Sequence, residues 1–232
     1  MRERYLHNLA ELEAQLREMG GLVERAVREA TWALERNEVG FAQRVIASDD
    51  LIDSTRYEVE NAALNLIARQ QPLAGDLRII NTVIGVATEL ERIGDYAEGI
   101  AKLVVRNSTL PPASFPPQLH PMATQAQVML NTSLQALFNR EPNAADRFHL
   151  EDRAMDALYH ELSVGTLARM REEPPAIERL VYYLQIAHNY ERIADRTVNI
   201  AERTTYIVTG VLNTKEPLNA EPQGSRAAED MK

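Results

Sequence analysis

The sequence predicts an all-α chain built as three helices, a linker and three helices again. Apolar residues recur at three- and four-residue spacing through nearly the whole chain, which is the stripe of an amphipathic helix. No segment alternates apolar and polar residues between hairpin turns, as strands would. The segments around Glu91 and Glu191 repeat each other at an offset of 100 residues, so the organisation is that of an internal duplication.

The elements follow in order. Leu9, Leu12, Leu16, Met19, Val23, Val27, Ala30 and Leu34 define the first helix. Gly20-Gly21 falls inside it and predicts a bend, since each glycine costs about 1 kcal/mol in a helix. A break at 37–40 separates it from a second helix over about 41–70, which Gln71-Pro72 closes because the residue before proline disfavours helix. A third helix covers about 75–106. Five prolines in 107–121 exclude a continuous helix there and predict a linker. Three more helices are expected at about 118–139, 143–172 and 176–212, with Pro174-Pro175 between the last two. The repeats are therefore 1–109 and 110–212, followed by a polar tail, 213–232, that lacks periodicity and is expected to be disordered.

With 232 residues, of which 45% are hydrophobic and 25% charged, the chain can bury a sizeable core. A formal net charge of −9 argues against bulk attraction to nucleic acid or an anionic membrane. There is no cysteine, hence no disulfide and no thiolate metal ligand. No apolar run approaches the roughly 20 residues that span a bilayer, and MRERYLHNLAELEAQ lacks the apolar region of a secretory signal. The expectation is a cytoplasmic protein that meets membranes only through a partner.

The third and sixth helices share Glu-Arg-Ile-x-Asp, at Glu91–Asp95 and Glu191–Asp195. At about 100° per residue, Leu180, Leu184, Ala187, Val198 and Asp195 all fall within about 40° of Glu191. Leu77, Ile80, Ile84 and Ala87 share a stripe with Glu91 and Asp95 in the same way. The acids thus interrupt apolar faces. The second helix of each repeat carries a matching pair: Asp49 and Asp53 beside Ala42, Val45, Ala63 and Ile67, and Asp152 and Asp156 beside Phe148, Tyr159 and Met170. Each pair stands roughly equidistant from its proline turn, so the motifs of neighbouring antiparallel helices can meet at one level. Four converging carboxylates repel and resist desolvation. Protonation, arginine pairing or bound cations would relieve that, and hard oxygen donors suit Mg, Ca, Mn or Fe. Arg92 and Arg192 follow each glutamate by one position and do not directly face it. No Glu-x-x-His appears, which weighs against a di-iron oxidase.

QQPLAGDLRIINTVIGVATELERIGDYAEGIAK (70–102) and YERIADRTVNIAERTTYIVTG (190–210), in tandem, resemble the PhoU family of phosphate-specific transport accessory proteins. The resemblance covers about residues 1–212. It implies two tandem three-helix bundles in an elongated molecule. It also implies multinuclear metal clusters, iron first, with Mn, Mg and Zn as alternatives. Carried over, one site is Asp49, Asp53, Glu91 and Asp95, and the other Asp152, Asp156, Glu191 and Asp195, extended by Asn199 and Glu202. The first repeat departs from the pattern with Gly99 and Lys102, so Glu98 is its candidate replacement ligand. The implied role is negative regulation of phosphate uptake and phosphate-starvation signalling, between the ATPase subunit of a phosphate ABC transporter and a sensor histidine kinase. Implied too are a homodimer and no catalysis.

Of the five histidines, His160 and His188 stand within a turn of Asp156 and Glu191, with a surface or outer position as the default. Trp32 is expected in a core or interface. Asp76 and Arg78 mark the start of the third helix. No phosphate loop, nucleophile triad or zinc spacing is legible. Beside the adaptor stand two alternatives, a carboxylate-bridged metalloenzyme and a purely structural scaffold.

Overall fold

The computed structural model describes residues 2–70, 72–111 and 113–211. It contains α1 (Arg2–Arg36), α2 (Val39–Gln70), α3 (Ala74–Asn107), α4 (Leu119–Asn139), α5 (Ala144–Glu172) and α6 (Ile177–Thr209), with a 3-10 turn at Pro174–Ala176. No strand occurs among the described residues. The chain is all-α, two three-helix bundles in succession, and each helix ends close to where the sequence predicts. The predicted tail, 213–232, lies outside the described residues.

α2 packs on α1 and α3, and α5 packs on α4 and α6. The bundles meet through α3 against α6 and α1 against α4, which leaves α2 and α5 outermost. One apolar core runs through both, including Leu16 and Met19 of α1, Ile93 and Ile100 of α3, Met129 of α4, Phe148 of α5 and Ile193 of α6.

The expected bend at Gly20-Gly21 does not interrupt α1, which is helical throughout. Gly20 serves close approach instead: a Cβ there would stand 2.9 Å from Leu134 Cδ1 on α4. The two helices run antiparallel, with Glu13 paired to Arg140 at 2.7 Å and Glu24 accepting from Asn131 at 2.9 Å. α3 and α6 also run antiparallel: Asn199 donates to Glu89 at 3.2 Å, while Arg192 donates to the Tyr96 hydroxyl at 3.4 Å. The proline linker is tied down rather than loose. Arg179 of α6 donates to the carbonyls of Asn107, Leu110 and Pro111, and Phe115 meets Tyr183 edge-on at 5.5 Å.

Candidate metal sites

Gly94 sets the approach of α2 to α3. A Cβ there would lie 3.1 Å from Ile52 Cδ1 and 3.7 Å from Asp49 Oδ1, so glycine lets this part of α2 come close. Asp49 and Asp53 of α2 then share a field with Glu91, Asp95 and Glu98 of α3. Burial, followed by the charges of Glu98, Asp95 and Asp53, pushes the Asp49 carboxyl up to about 6, and Lys102 opposes them. Burial also raises Glu91, reinforced by Asp95 and opposed by Arg56. Asp95 is raised by burial, then by Asp53 and Glu98. All five acids named for the first repeat therefore belong to one electrostatic cluster. Countercharge comes from three groups: Arg56 stands 3.8 Å from Glu91 and makes its closer pair, 2.7 Å, with Glu60, Lys102 pairs with Glu98, and Arg92 lowers Glu91 and Asp95. Asp53 Oδ1 is buried without a hydrogen-bond partner.

The second repeat places Asp156 and Asp195 in the field of Glu191, whose carboxyl is raised by burial first, then by Asp195. Here too the chain supplies partners of its own. His188 Nδ1 is 2.9 Å from Glu191, Arg192 donates to Asp195 at 2.9 Å, and Arg196 stands 3.9 Å from Asp195. Glu202 faces His149 at 3.5 Å. Asn199 reaches across to Glu89 of the first repeat. Asp152 is buried, 8% exposed.

The acids border the apolar stripes rather than interrupting them at the centre. Asp95 and Asp156 are exposed, as is Leu77, and Asp49, Asp53, Glu91, Glu98, Glu191 and Asp195 are half-buried. The cause is the outer position of α2 and α5, whose junctions with α3 and α6 open to water. Among the described residues, no three His, Asp or Glu side chains gather tightly enough to hold an ion as they stand. The donor chemistry of the first cluster nevertheless fits a hard cation: an orphaned carboxylate oxygen and a carboxyl that holds its proton to about pH 6. In the second cluster Glu191 meets His188, and Asp195 meets Arg192 and Arg196.

Sequence reasoning missed Arg56, although it lies one turn after Asp53 on α2, and it missed Arg196 with its cross-repeat partner Glu89. Both His160 and His188 are exposed, and His188 touches Glu191. Trp32 is not a core residue: it is 42% exposed, with Arg36 3.9 Å above its ring. Asp76 lies in the first turn of α3, and Arg78 lies against Gly210, whose left-handed φ of 74° closes α6.

The family model described as the PhoU domain matches twice, over residues 16–104 and 119–204. The chain belongs to the PhoU family. Every candidate ligand falls inside the two PhoU domains. A relative from Clostridium acetobutylicum, named phosphate-specific transport system accessory protein PhoU homolog, is 34% identical, with 88% of this chain and 93% of the relative aligned. One of the same name from Rhizobium meliloti is 36% identical, over 95% and 90%. The crystal structure of PhoU from Pseudomonas aeruginosa superimposes with a TM-score of 0.85 at 30% identity, covering 89% of this chain and all of that one (100%). That of the phosphate transport system regulatory protein PhoU from Streptococcus pneumoniae does so at 0.82 and 30% identity, over 90% and 98%.

Proposed function

We propose that this PhoU-family chain is an accessory regulator of a phosphate transport system, a metal-loaded adaptor that acts by binding and not by turnover. Its relatives are named accessory and regulatory proteins, which supports a non-catalytic role. The proposed partners are the ATPase subunit of a phosphate ABC transporter and a sensor histidine kinase, with the adaptor in the cytoplasm, as a homodimer, restraining phosphate uptake. No described helix is long and apolar enough to cross a membrane, so its membrane partners would carry it there.

The observation that carries the metal reading is the first carboxylate cluster. Burial and their acidic neighbours, Asp53 and Glu98 among them, raise Asp49, Glu91 and Asp95, and Asp53 keeps a buried oxygen unpartnered. In this reading they hold a multinuclear centre, iron first, with Mn, Mg or Zn as alternatives. Asp152, Asp156, Glu191 and Asp195, with Asn199 and Glu202, hold the second. A bound cation would supply charge neutralisation and cross-link the two helices of each site. Elemental analysis of chelator-free protein tests the metals: several ions per chain, reduced in an Asp49→Asn, Asp95→Asn variant, support them. A metal-free wild type after reconstitution overturns them. Co-purification of the transporter ATPase with the wild-type chain tests the adaptor role, and its failure would overturn that.

A further inference from the structure

The seam between α3 and α6 has two ends that the duplication makes equivalent, and they differ. At one end Glu89 is buried, receives Arg196 at 3.3 Å and the Asn199 amide at 3.2 Å, and lies near Gly85, where a Cβ would overlap the Arg203 guanidinium. At the other end the equivalent positions read Asn189 for Glu89, Gly99 for Asn199, Leu103 for Arg203 and Gln185 for Gly85. The carboxylate and the guanidinium are both missing. A groove of about 490 Å³ opens there. Leu103, Val181 and Leu184 give it an apolar floor, while Lys102, Arg106 and His188 surround it. No acidic residue is among the described residues that line it, in a chain of net charge −9. Lys102 pairs with Glu98 and His188 Nδ1 lies against Glu191, whereas Arg106 is exposed at the groove.

We propose that this groove docks an acidic segment of a partner protein. A carboxylate of the partner takes the place that Glu89 fills at the other end, between Asn189 and the cations, and its apolar neighbours lie on Leu103, Val181 and Leu184. The combination of apolar floor and cationic rim selects an amphipathic peptide over a small free anion. The proposal rests on the adaptor reading for its biological partner, but it does not depend on metal in either carboxylate cluster.

The probe is a fluorescent amphipathic peptide of about 14 residues, with leucines at helical spacing and glutamates between them. Its controls replace every Glu by Lys or every Leu by Ser. Anisotropy is measured with the full chain at low and high salt. The expected result is binding of the Glu/Leu peptide that weakens with salt, at least about tenfold tighter than either control. Arg106→Glu, and the milder Arg106→Ala, should weaken binding, the former about tenfold, with melting curves unchanged, while Arg4→Glu on the exposed start of α1 should not. Equal binding of all three peptides, wild-type binding by both Arg106 variants, or no binding by the wild-type chain would overturn the proposal. The assay contains no transporter, so its failure removes the groove alone, and failed capture of the transporter ATPase by the wild type removes the adaptor reading alone.

Discussion

The two carboxylate clusters occupy equivalent places in a duplicated chain, yet they relieve their repulsion by different means. Around Asp49, Asp53, Glu91, Asp95 and Glu98, the compensation comes from Arg56 at 3.8 Å from Glu91, from Arg92 on Glu91 and Asp95, and from Lys102 on Glu98. Burial first, and then the charges of Glu98, Asp95 and Asp53, push the Asp49 carboxyl up to about 6. Around Glu191 and Asp195, His188, Arg192 and Arg196 stand within 4 Å, and the last also secures Glu89 of the other repeat. The lesson is that the motif alone does not decide how a carboxylate pair behaves. Its neighbours do. Each cluster has two arginines beside it, Arg56 and Arg92 at the first and Arg192 and Arg196 at the second, and they differ in the third group, Lys102 against His188.

Breaking the internal compensation should have the largest effect. Arg196→Ala leaves Glu89 without its guanidinium at the buried seam, and a loss of about 2–3 kcal/mol is expected from the cost of an unpaired, largely buried charge. Arg56→Ala should lose less, about 1 kcal/mol, because the Glu91 and Glu60 side chains it leaves are 23% and 25% exposed where that of Glu89 is 11% exposed. Urea titration of both variants measures the difference, and equal losses would erase the contrast drawn here. A second effect concerns cations. At about 100 times its dissociation constant, Mn or ferrous iron should stabilise the protein by about 2.7 kcal/mol. Asp49→Asn, Asp95→Asn should remove most of that gain in a thermal melt, and Asp156→Asn, Asp195→Asn should remove less. The opposite ranking would show the second cluster to be the stronger site.

Acidity should separate the clusters more gently. Asp49 titrates at about 6 in the folded chain, against 3.8 for an ordinary aspartate. Between those values the folded state holds the extra proton, so this group's contribution to stability falls as pH rises through the window and stays low above it. Metal-free protein should therefore be more stable at pH 5 than at pH 7, by about 1 kcal/mol for this group once solvent screening is allowed for. That corresponds to about 3 °C in Tm. Glu91, Asp95 and Glu191 shift in the same direction. Asp49→Asn should flatten the profile, and an unchanged slope in that variant would exclude Asp49 as its source. The smallest effect is expected at Arg192, which donates to Asp195 from a part-exposed position. Arg192→Ala should raise cation affinity at the second cluster by about threefold, as expected for losing a weak competing pair, and calorimetry would read it. No change would mean that Arg192 does not compete.

The helices and the duplication were legible because proline, glycine and apolar spacing are local signals. Pro72, Pro174 and Pro175 stand where helices end, and the spacing from Leu9 to Leu34 is that of α1. The membership of the first cluster was legible for the same reason, since Asp49/Asp53 and Glu91/Asp95 are one-turn pairs on helices joined by a short turn. The half-exposed setting of these acids was not. It depends on α2 having neighbours on one side only, which is a property of the assembled bundle. Nor could spacing reveal that Asn199 would turn toward Glu89, because that contact exists only once the two repeats have docked. The core half of the Trp32 expectation failed for a related reason: a tryptophan on an amphipathic helix can be served by a stacked arginine, here Arg36, as well as by a core.

Glu89 meets Asn199 across the seam, and Gly99 meets Asn189, the same two repeat positions with their roles exchanged. Such reciprocity is the signature of an isologous two-fold interface. The molecule therefore has the form of a homodimer of one repeat whose subunits a linker has joined. In a true homodimer every substitution at such a seam appears twice, so a buried carboxylate at one end would impose its copy at the other. Fusion lifts that obligation. It allowed one end to become a closed, charged clasp and the other a groove open to solvent, giving a once-symmetric object a front and a back.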